Sequence, residues 1–135
     1  MNALHVEDYA VLAELRYLWR KFLRFSKDLL QARAGLNPEQ YEALLAIKAF
    51  PEKDITISQL SERLQVKHHS AVNIVDRLVE RKLLRRQPGK QDRRERHLAL
   101  TSKGEKIIEE LAALHYAEFS RCSGEMIRAL QQLKP

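Results

Sequence analysis

The densest chemistry in the chain is guanidinium chemistry. Between Arg81 and Arg96 stand eight basic residues (Arg81, Lys82, Arg85, Arg86, Lys90, Arg93, Arg94 and Arg96), opposed only by Asp92 and Glu95. That stretch carries a net +6, which is the formal charge of the whole 135-residue chain, so everything outside it balances to zero. Charge that served only solubility would be spread out. Confined to sixteen consecutive residues, it is what a phosphate backbone or an anionic membrane attracts. No amphipathic helix with large apolar residues backs the strip, which disfavours the membrane.

Other chemistries are poorly supplied. His68 and His69 are neighbours, so on a helix they point about 100° apart and do not form the i, i+4 pair that grips a metal. His5, His97 and His115 are scattered, without cysteine or carboxylate at zinc-site spacing. There is no Gly-rich phosphate loop and no arrangement of Ser, His and Asp that could act together. No metal, no cofactor, no catalytic residue and no enzyme activity are therefore expected. The single cysteine, Cys122, excludes an intramolecular disulfide and suits a reducing cytoplasm. It lies in the apolar series Phe119, Cys122, Met126 and reads as a buried, inert packing residue. The start of the chain has early acidic residues and no uninterrupted apolar segment, which is unlike a secretory signal. Charges interrupt every apolar run, so no membrane span is expected.

The elements that must position the strip can be read from periodicity and caps. Leu12, Leu15, Trp19, Phe22 and Leu29 recur at helical spacing over about residues 8–34, up to Gly35. Asn37-Pro38-Glu39-Gln40 restarts the chain with a cap, a first-turn proline and a capping box, and the next helix ends before Pro51. Ile55-Thr56-Ile57 reads as a short strand, and Ser58 as the cap of a helix that buries Leu60, Leu64 and Val66. A turn through Lys67 leads to a longer helix whose inward face is Ala71, Ile74, Val75, Leu78 and Val79. His69, Ser70, Asn73 and Arg77 fall on its open side. Two helices joined by so short a turn form a helix-turn-helix.

The basic strip then makes a hairpin: Leu83-Leu84-Arg85-Arg86-Gln87, turn residues from Pro88 to Arg93, and a returning strand in which Leu98 and Leu100 alternate with His97 and Ala99. Thr101 caps a final helical region carrying Ile107, Ile108, Leu111 and Leu114, expected to bend between Ser120 and Gly124. A helix-turn-helix followed by a hairpin is a winged helix. The fold class is thus mainly α with a small β-hairpin wing. The wing is cationic because it lies along DNA, where guanidinium groups can enter a narrow minor groove. Asp92 is expected to pair with a neighbouring arginine and fix its fork. Arg85, Arg86, Lys90 and Arg96 read as phosphate contacts, which set affinity and salt dependence. His68, His69, Ser70 and Asn73 are the candidates for reading bases, Asn being suited to adenine. A histidine near phosphates also predicts tighter DNA binding at mildly acidic pH.

Over essentially its whole length the chain resembles the MarR family of bacterial transcription regulators. The resemblance is carried by Thr56-Ile-Ser-Gln-Leu-Ser-Glu-Arg-Leu-Gln-Val66, by Ala71 through Arg86, and above all by Asp92 through Gly104. Asp92, Arg93, Arg94, Leu100, Thr101 and Gly104 stand where the family's wing signature has its Asp-Arg pair and its Leu-Thr-x-x-Gly. The resemblance implies a homodimer paired through the terminal helices, recognition helices in successive major grooves of a pseudo-palindromic site, and wings in the flanking minor grooves. It favours Arg94 over Arg93 as the inserted side chain, although the residues themselves do not separate the two. Two departures stand out: Lys67 replaces the usual Ser or Thr cap, placing a charge that can meet phosphate, and Lys82 replaces the usual glycine after the recognition helix. Relatives that sense peroxide carry their cysteine near the start of the first helix, where this chain has none.

Many relatives bind small aromatic acids between the dimer helices and the DNA-binding lobe. By that likeness Tyr17, Trp19, Phe22 and Tyr41 are candidates to line an effector pocket, against the plainer reading of core or dimer interface. The expected organisation is one domain over 1–135, with a DNA-binding lobe at about 37–101 and a dimerisation region formed by about 8–34 and 102–135. The expected function is a sequence-specific, duplex-DNA-binding regulator, more often a repressor, modulated by a small aromatic or anionic ligand. The rival reading is a winged-helix protein-interaction module with only non-specific DNA binding.

Overall fold

The computed structural model describes residues 3–50, 55–89 and 92–134. Along them run α1 (Val6–Ala34), α2 (Pro38–Ala49), α3 (Ile57–Leu64), α4 (His68–Glu80), β1 (Leu84–Pro88), β2 (Arg96–Leu100) and α5 (Ser102–Gln131). Helix α1 ends where Gly35 takes a left-handed conformation (φ 61°) and its N–H returns to the carbonyls of Leu30 and Gln31. The capping box at the start of α2 is complete: Asn37 accepts from the Gln40 N–H at 2.8 Å, and the Gln40 amide accepts from the Asn37 N–H at 3.0 Å.

Three expectations change. Ile55 and Thr56 do not make a strand of their own. Thr56 forms an isolated bridge with His97, and the Ile55 carbonyl accepts from the Leu98 N–H at 3.0 Å, so the pair edges the wing. Ile57 is already helical, and the cap of α3 is Thr56 rather than Ser58, because only there does the third residue on, Gln59, close a reciprocal box. Helix α5 also runs unbroken through Ser120–Gly124. Ser123 donates back to the Ser120 carbonyl at 3.1 Å, and an ion pair between Arg121 and Glu118 spans the turn before it. One glycine costs a helix about 1 kcal/mol, which packing along α1 offsets.

The core is built from one face of each element. Leu30 and Leu36 come from α1 and its exit, Leu44 and Ile47 from α2, Leu60 from α3, and Ile74, Val75 and Leu78 from α4. Leu83 and Leu84 enter from the strand root, Leu98 from β2, and Ile108 and Leu111 from α5. Each fully buried leucine contributes roughly 1.5–3 kcal/mol by leaving water, so the orientation of α4 is set by the core rather than by its ends. The hairpin is antiparallel, with Leu84 opposite Leu100, Arg86 opposite Leu98 and Pro88 opposite Arg96.

Where α4 meets β1 the chain turns through Lys82, which adopts φ 63° although it is not glycine. The missing glycine has not removed the left-handed turn; the lysine makes it. That turn aims Leu83 into the core and brings its carbonyl against α5. A Cβ on Gly104 would lie 2.1 Å from that oxygen. The glycine of the Leu-Thr-x-x-Gly signature is thus required by the approach of the α5 backbone to the end of the recognition helix.

Candidate nucleic-acid interface

Helix α4 buries Ala71, Ile74, Val75 and Leu78, which turns His69, Asn73 and Arg77 outward in one stripe four residues apart. Lys67 and His68 are exposed at its start and Ser70 is half-buried beside them. Val79, expected on the inward face, is only half-buried. The three-residue turn before α4 places Gln65 in the left-handed region (φ 54°) and leaves Lys67 at the N-cap with no side-chain bond to the helix. The first-turn N–H groups of α4 are thereby left for an external acceptor, with no acidic side chain nearby in that turn to repel one.

The wing presents the second group. The Arg94 side chain has 93% of its surface open, and Asp92 holds it from behind. One carboxylate oxygen of Asp92 accepts from the Arg94 backbone N–H at 3.0 Å and lies 3.4 Å from its Nε. The pairing expected for Asp92 is therefore with Arg94, not Arg93. Arg85, Arg93 and Arg96 are exposed around it. Lys90 lies outside the described residues.

Two arginines of the strip are otherwise engaged. Arg86 bonds to Asp76 of α4 at 2.5 Å, tying β1 to the recognition helix and reducing its charge toward a phosphate. Asp76 was not among the sequence candidates, since nothing in its spacing marks it as the partner of a residue ten positions on. Arg81 turns away from the wing altogether: its two terminal nitrogens donate to the carbonyls of Ala34 (2.7 Å) and Gly35 (3.1 Å). His97, expected on the polar side of β2, is only 8% exposed. The wing's own turn covers its ring, with Glu95 bonded to Nε2 at 3.0 Å and Gly89 packed so near that a Cβ there would lie 2.7 Å from the same nitrogen.

Of the four aromatic candidates, Trp19, Phe22 and Tyr41 are linked through ring contacts and His115, while Tyr17 stands apart. Tyr17 is exposed and contacts Lys21, whose ammonium lies 5.2 Å from its ring centre. Trp19, 44% exposed, stacks on Phe22, and Phe22 stacks on Phe119 at 3.8 Å between centroids. Phe22 also meets the edge of His115 at 6.2 Å, and Tyr41 stacks on the same ring at 4.3 Å. That histidine, which sequence reasoning set aside, is buried with both nitrogens engaged: Nδ1 lies 2.7 Å from the Leu111 carbonyl and Nε2 lies 2.8 Å from the Ser26 hydroxyl. Burial, reinforced by the neighbouring Glu42 carboxylate, pushes the Tyr41 phenol up and keeps it neutral. A cleft of about 280 Å³ between α1 and α5 is lined by Phe22 alone of the four, with Lys21, Glu118, Arg121 and Cys122 around it. Cys122 is half-buried at that cleft rather than sealed in a core, because Phe119 beside it is itself 38% exposed.

The arrangement matches known proteins. A model of the MarR family matches residues 34–95. The HTH-type transcriptional repressor MdtR of Bacillus subtilis (strain 168) is 28% identical over 102 residues, covering 74% of this chain and 64% of MdtR. The transcriptional repressor MprA of Escherichia coli (strain K12) is 30% identical over 95 residues, covering 70% of this chain and 53% of MprA. The chain thus spans between about half and two thirds of the length of these curated relatives. Among solved structures, Streptococcus pneumoniae FabT in complex with DNA superposes with a TM-score of 0.75 at 24% identity, covering 86% of this chain and 81% of FabT. The S. aureus MepR–DNA complex gives 0.70 at 21% identity, covering 88% and 79%. With the wing signature in register and its glycine explained by the Leu83 contact, these matches show a MarR-family segment at residues 34–95 within a winged-helix fold shared with FabT and MepR.

Proposed function

We propose that this chain is a sequence-specific duplex-DNA-binding regulator that acts as a homodimer, with repression as its role. The observation that carries the reading is the pairing of two exposed elements on one core. The polar stripe His69, Asn73, Arg77 stands out from α4, and Arg94 is held open by Asp92 at the wing. A helix of that width fits a major groove, and an arginine on a thin hairpin fits a minor groove. Ser70, His68 and Lys67 join the helix start, while Arg85, Arg93 and Arg96 neutralise phosphates. Two relatives bearing the name repressor, MdtR and MprA, and two neighbours solved with DNA support the same reading.

The dimer reading rests on apolar side chains that a single chain leaves in water. Val6, Tyr9 and Leu12 of α1, and Ile127 and Leu130 of α5, are all exposed, with Leu133 just beyond it. So long an apolar series at both ends of the chain is the mark of an interface. Pairing there would set two recognition helices one helical turn of DNA apart. A small aromatic or anionic ligand that favours another dimer geometry would release DNA through its differential affinity for the two states. No described helix is long and apolar enough to cross a membrane, and the proposed DNA-binding role fits a cytoplasmic location.

Selection of bound duplexes from a random pool, at near-physiological salt, tests the reading. An enriched, roughly palindromic motif with half-sites about one turn apart is the expected result. Sequence-indifferent, salt-labile binding by folded dimer, unchanged after unfolding and refolding to strip any ligand, would overturn it in favour of a protein-interaction module.

A further inference from the structure

We infer that Arg81 is a positioning residue that transmits the geometry of the dimer helices to the recognition helix, an assignment that rests on the DNA-binding reading above. By composition Arg81 belongs to the phosphate-seeking strip. In the fold it is the C-cap of α4, its N–H bonded to the Arg77 carbonyl. Its guanidinium reaches back to the end of α1, where the Ala34 and Gly35 carbonyls have no partner further along a helix that has stopped. A cation at a helix C-terminus is favoured by the helix dipole as well as by the two bonds.

The backbone of the same short segment is held from the other side by α5. The Thr101 hydroxyl donates to the Lys82 carbonyl at 2.6 Å, the Thr101 N–H donates to the Leu83 carbonyl at 3.1 Å, and Lys103 Nζ lies 3.4 Å from the Arg81 carbonyl. Thr101 is also the cap of α5, so its bonds fix where that helix begins. Residues 81–83 therefore join the end of α1, the end of α4 and the start of α5 within three positions. The side chain of Arg81 supplies the α1 link, and a flat guanidinium can hold two carbonyls at fixed angles where an ammonium cannot. Rotation of α4 relative to α1 must break that fork. Half-site spacing is set by where α1 and α5 place the two recognition helices, so Arg81 governs how strictly one spacing is required.

The test is binding of the selected duplex and of versions with one base pair inserted or removed between half-sites, across a salt series. The wild-type dimer and Arg81→Met are compared at a temperature where circular dichroism shows both folded. The expected result is that Arg81→Met reduces the preference for the native spacing by about fivefold or more, with an unchanged salt slope. A merely stabilising residue would lower the amount of active dimer for all spacings alike, and that outcome overturns the proposal. So does a salt slope that falls by about one unit per protomer, which would make Arg81 a phosphate contact. Arg81→Lys keeps the charge without the fork. If the methionine chain does not fold, loss of spacing preference by the lysine chain decides for the proposal and its retention decides against. A wild-type dimer with no motif at all overturns the DNA reading itself, and this inference with it.

Discussion

The recognition helix and the wing both offer polar groups to solvent, yet they are held in opposite ways. Helix α4 is oriented by four buried side chains, three of which share the main core, so its outward stripe is placed by packing on its reverse face. Beneath the wing turn lies the buried His97 ring, held by Glu95 and packed against Gly89. Arg94 is placed by one carboxylate two residues away, and the strands behind it are held by the bridge from His97 to Thr56 and by the Arg86–Asp76 pair. A side chain fixed by packing can discriminate among bases, since a small displacement loses a bidentate contact. One fixed only by a local ion pair suits a groove whose shape and potential are read rather than its base edges. On the proposed DNA-binding role, the contrast predicts discrimination by α4 and shape-dependent affinity from the wing.

The strongest way to break the contrast is to loosen α4 from behind. Leu78→Ala leaves a cavity under the helix and should destabilise the fold by about 2–5 kcal/mol in urea unfolding, with discrimination lost before wing-dependent affinity. If the folded variant kept full discrimination, packing would not be what places the stripe. Asn73→Ala acts on the front face. It should cost about 1–3 kcal/mol per half-site on the preferred duplex and much less on a scrambled one, leaving the salt slope alone. Equal losses on both duplexes would make Asn73 a backbone contact.

How much of this could be read in advance follows the same division. Caps and apolar periods are local, and they located α1, α2, α4 and the hairpin closely, together with the pairing role of Asp92. What failed was non-local. Ile55 and Thr56 have strand-forming side chains, but whether they pair depends on β2, forty residues on. Arg81 looks like its cationic neighbours in sequence, and only the return of the chain past the end of α1 sets it apart. Asp76 and His115 carried no signal, because their partners Arg86 and Ser26 are brought to them by tertiary packing. The bend expected in α5 treated Gly124 and its serines as breakers, when a long packing surface on α1 outweighs about 1 kcal/mol of propensity.

At the wing the effects should be smaller and of another kind. Arg94→Ala is expected to weaken binding by about 1–2 kcal/mol on duplexes with A·T-rich flanks. With G·C-rich flanks, whose minor groove is wider, the loss should be less. A loss independent of flank sequence would reduce Arg94 to one more phosphate contact.

The smallest effect is the one that separates the two regions most sharply. If Asp92 acts only by presenting Arg94, then Asp92→Ala should forfeit part of the arginine's contribution, on the order of 0.5 kcal/mol for so exposed a pair. The double variant should then bind no worse than Arg94→Ala alone, because the carboxylate has nothing left to hold. Removing a negative charge near phosphates would by itself tighten binding, so the sign of the Asp92 effect is informative. Tighter binding by Asp92→Ala would mean that repulsion outweighs presentation. Weaker binding that vanishes in the Arg94→Ala background would show a residue of unfavourable charge retained for geometry, the local counterpart at the wing of what the core does for α4.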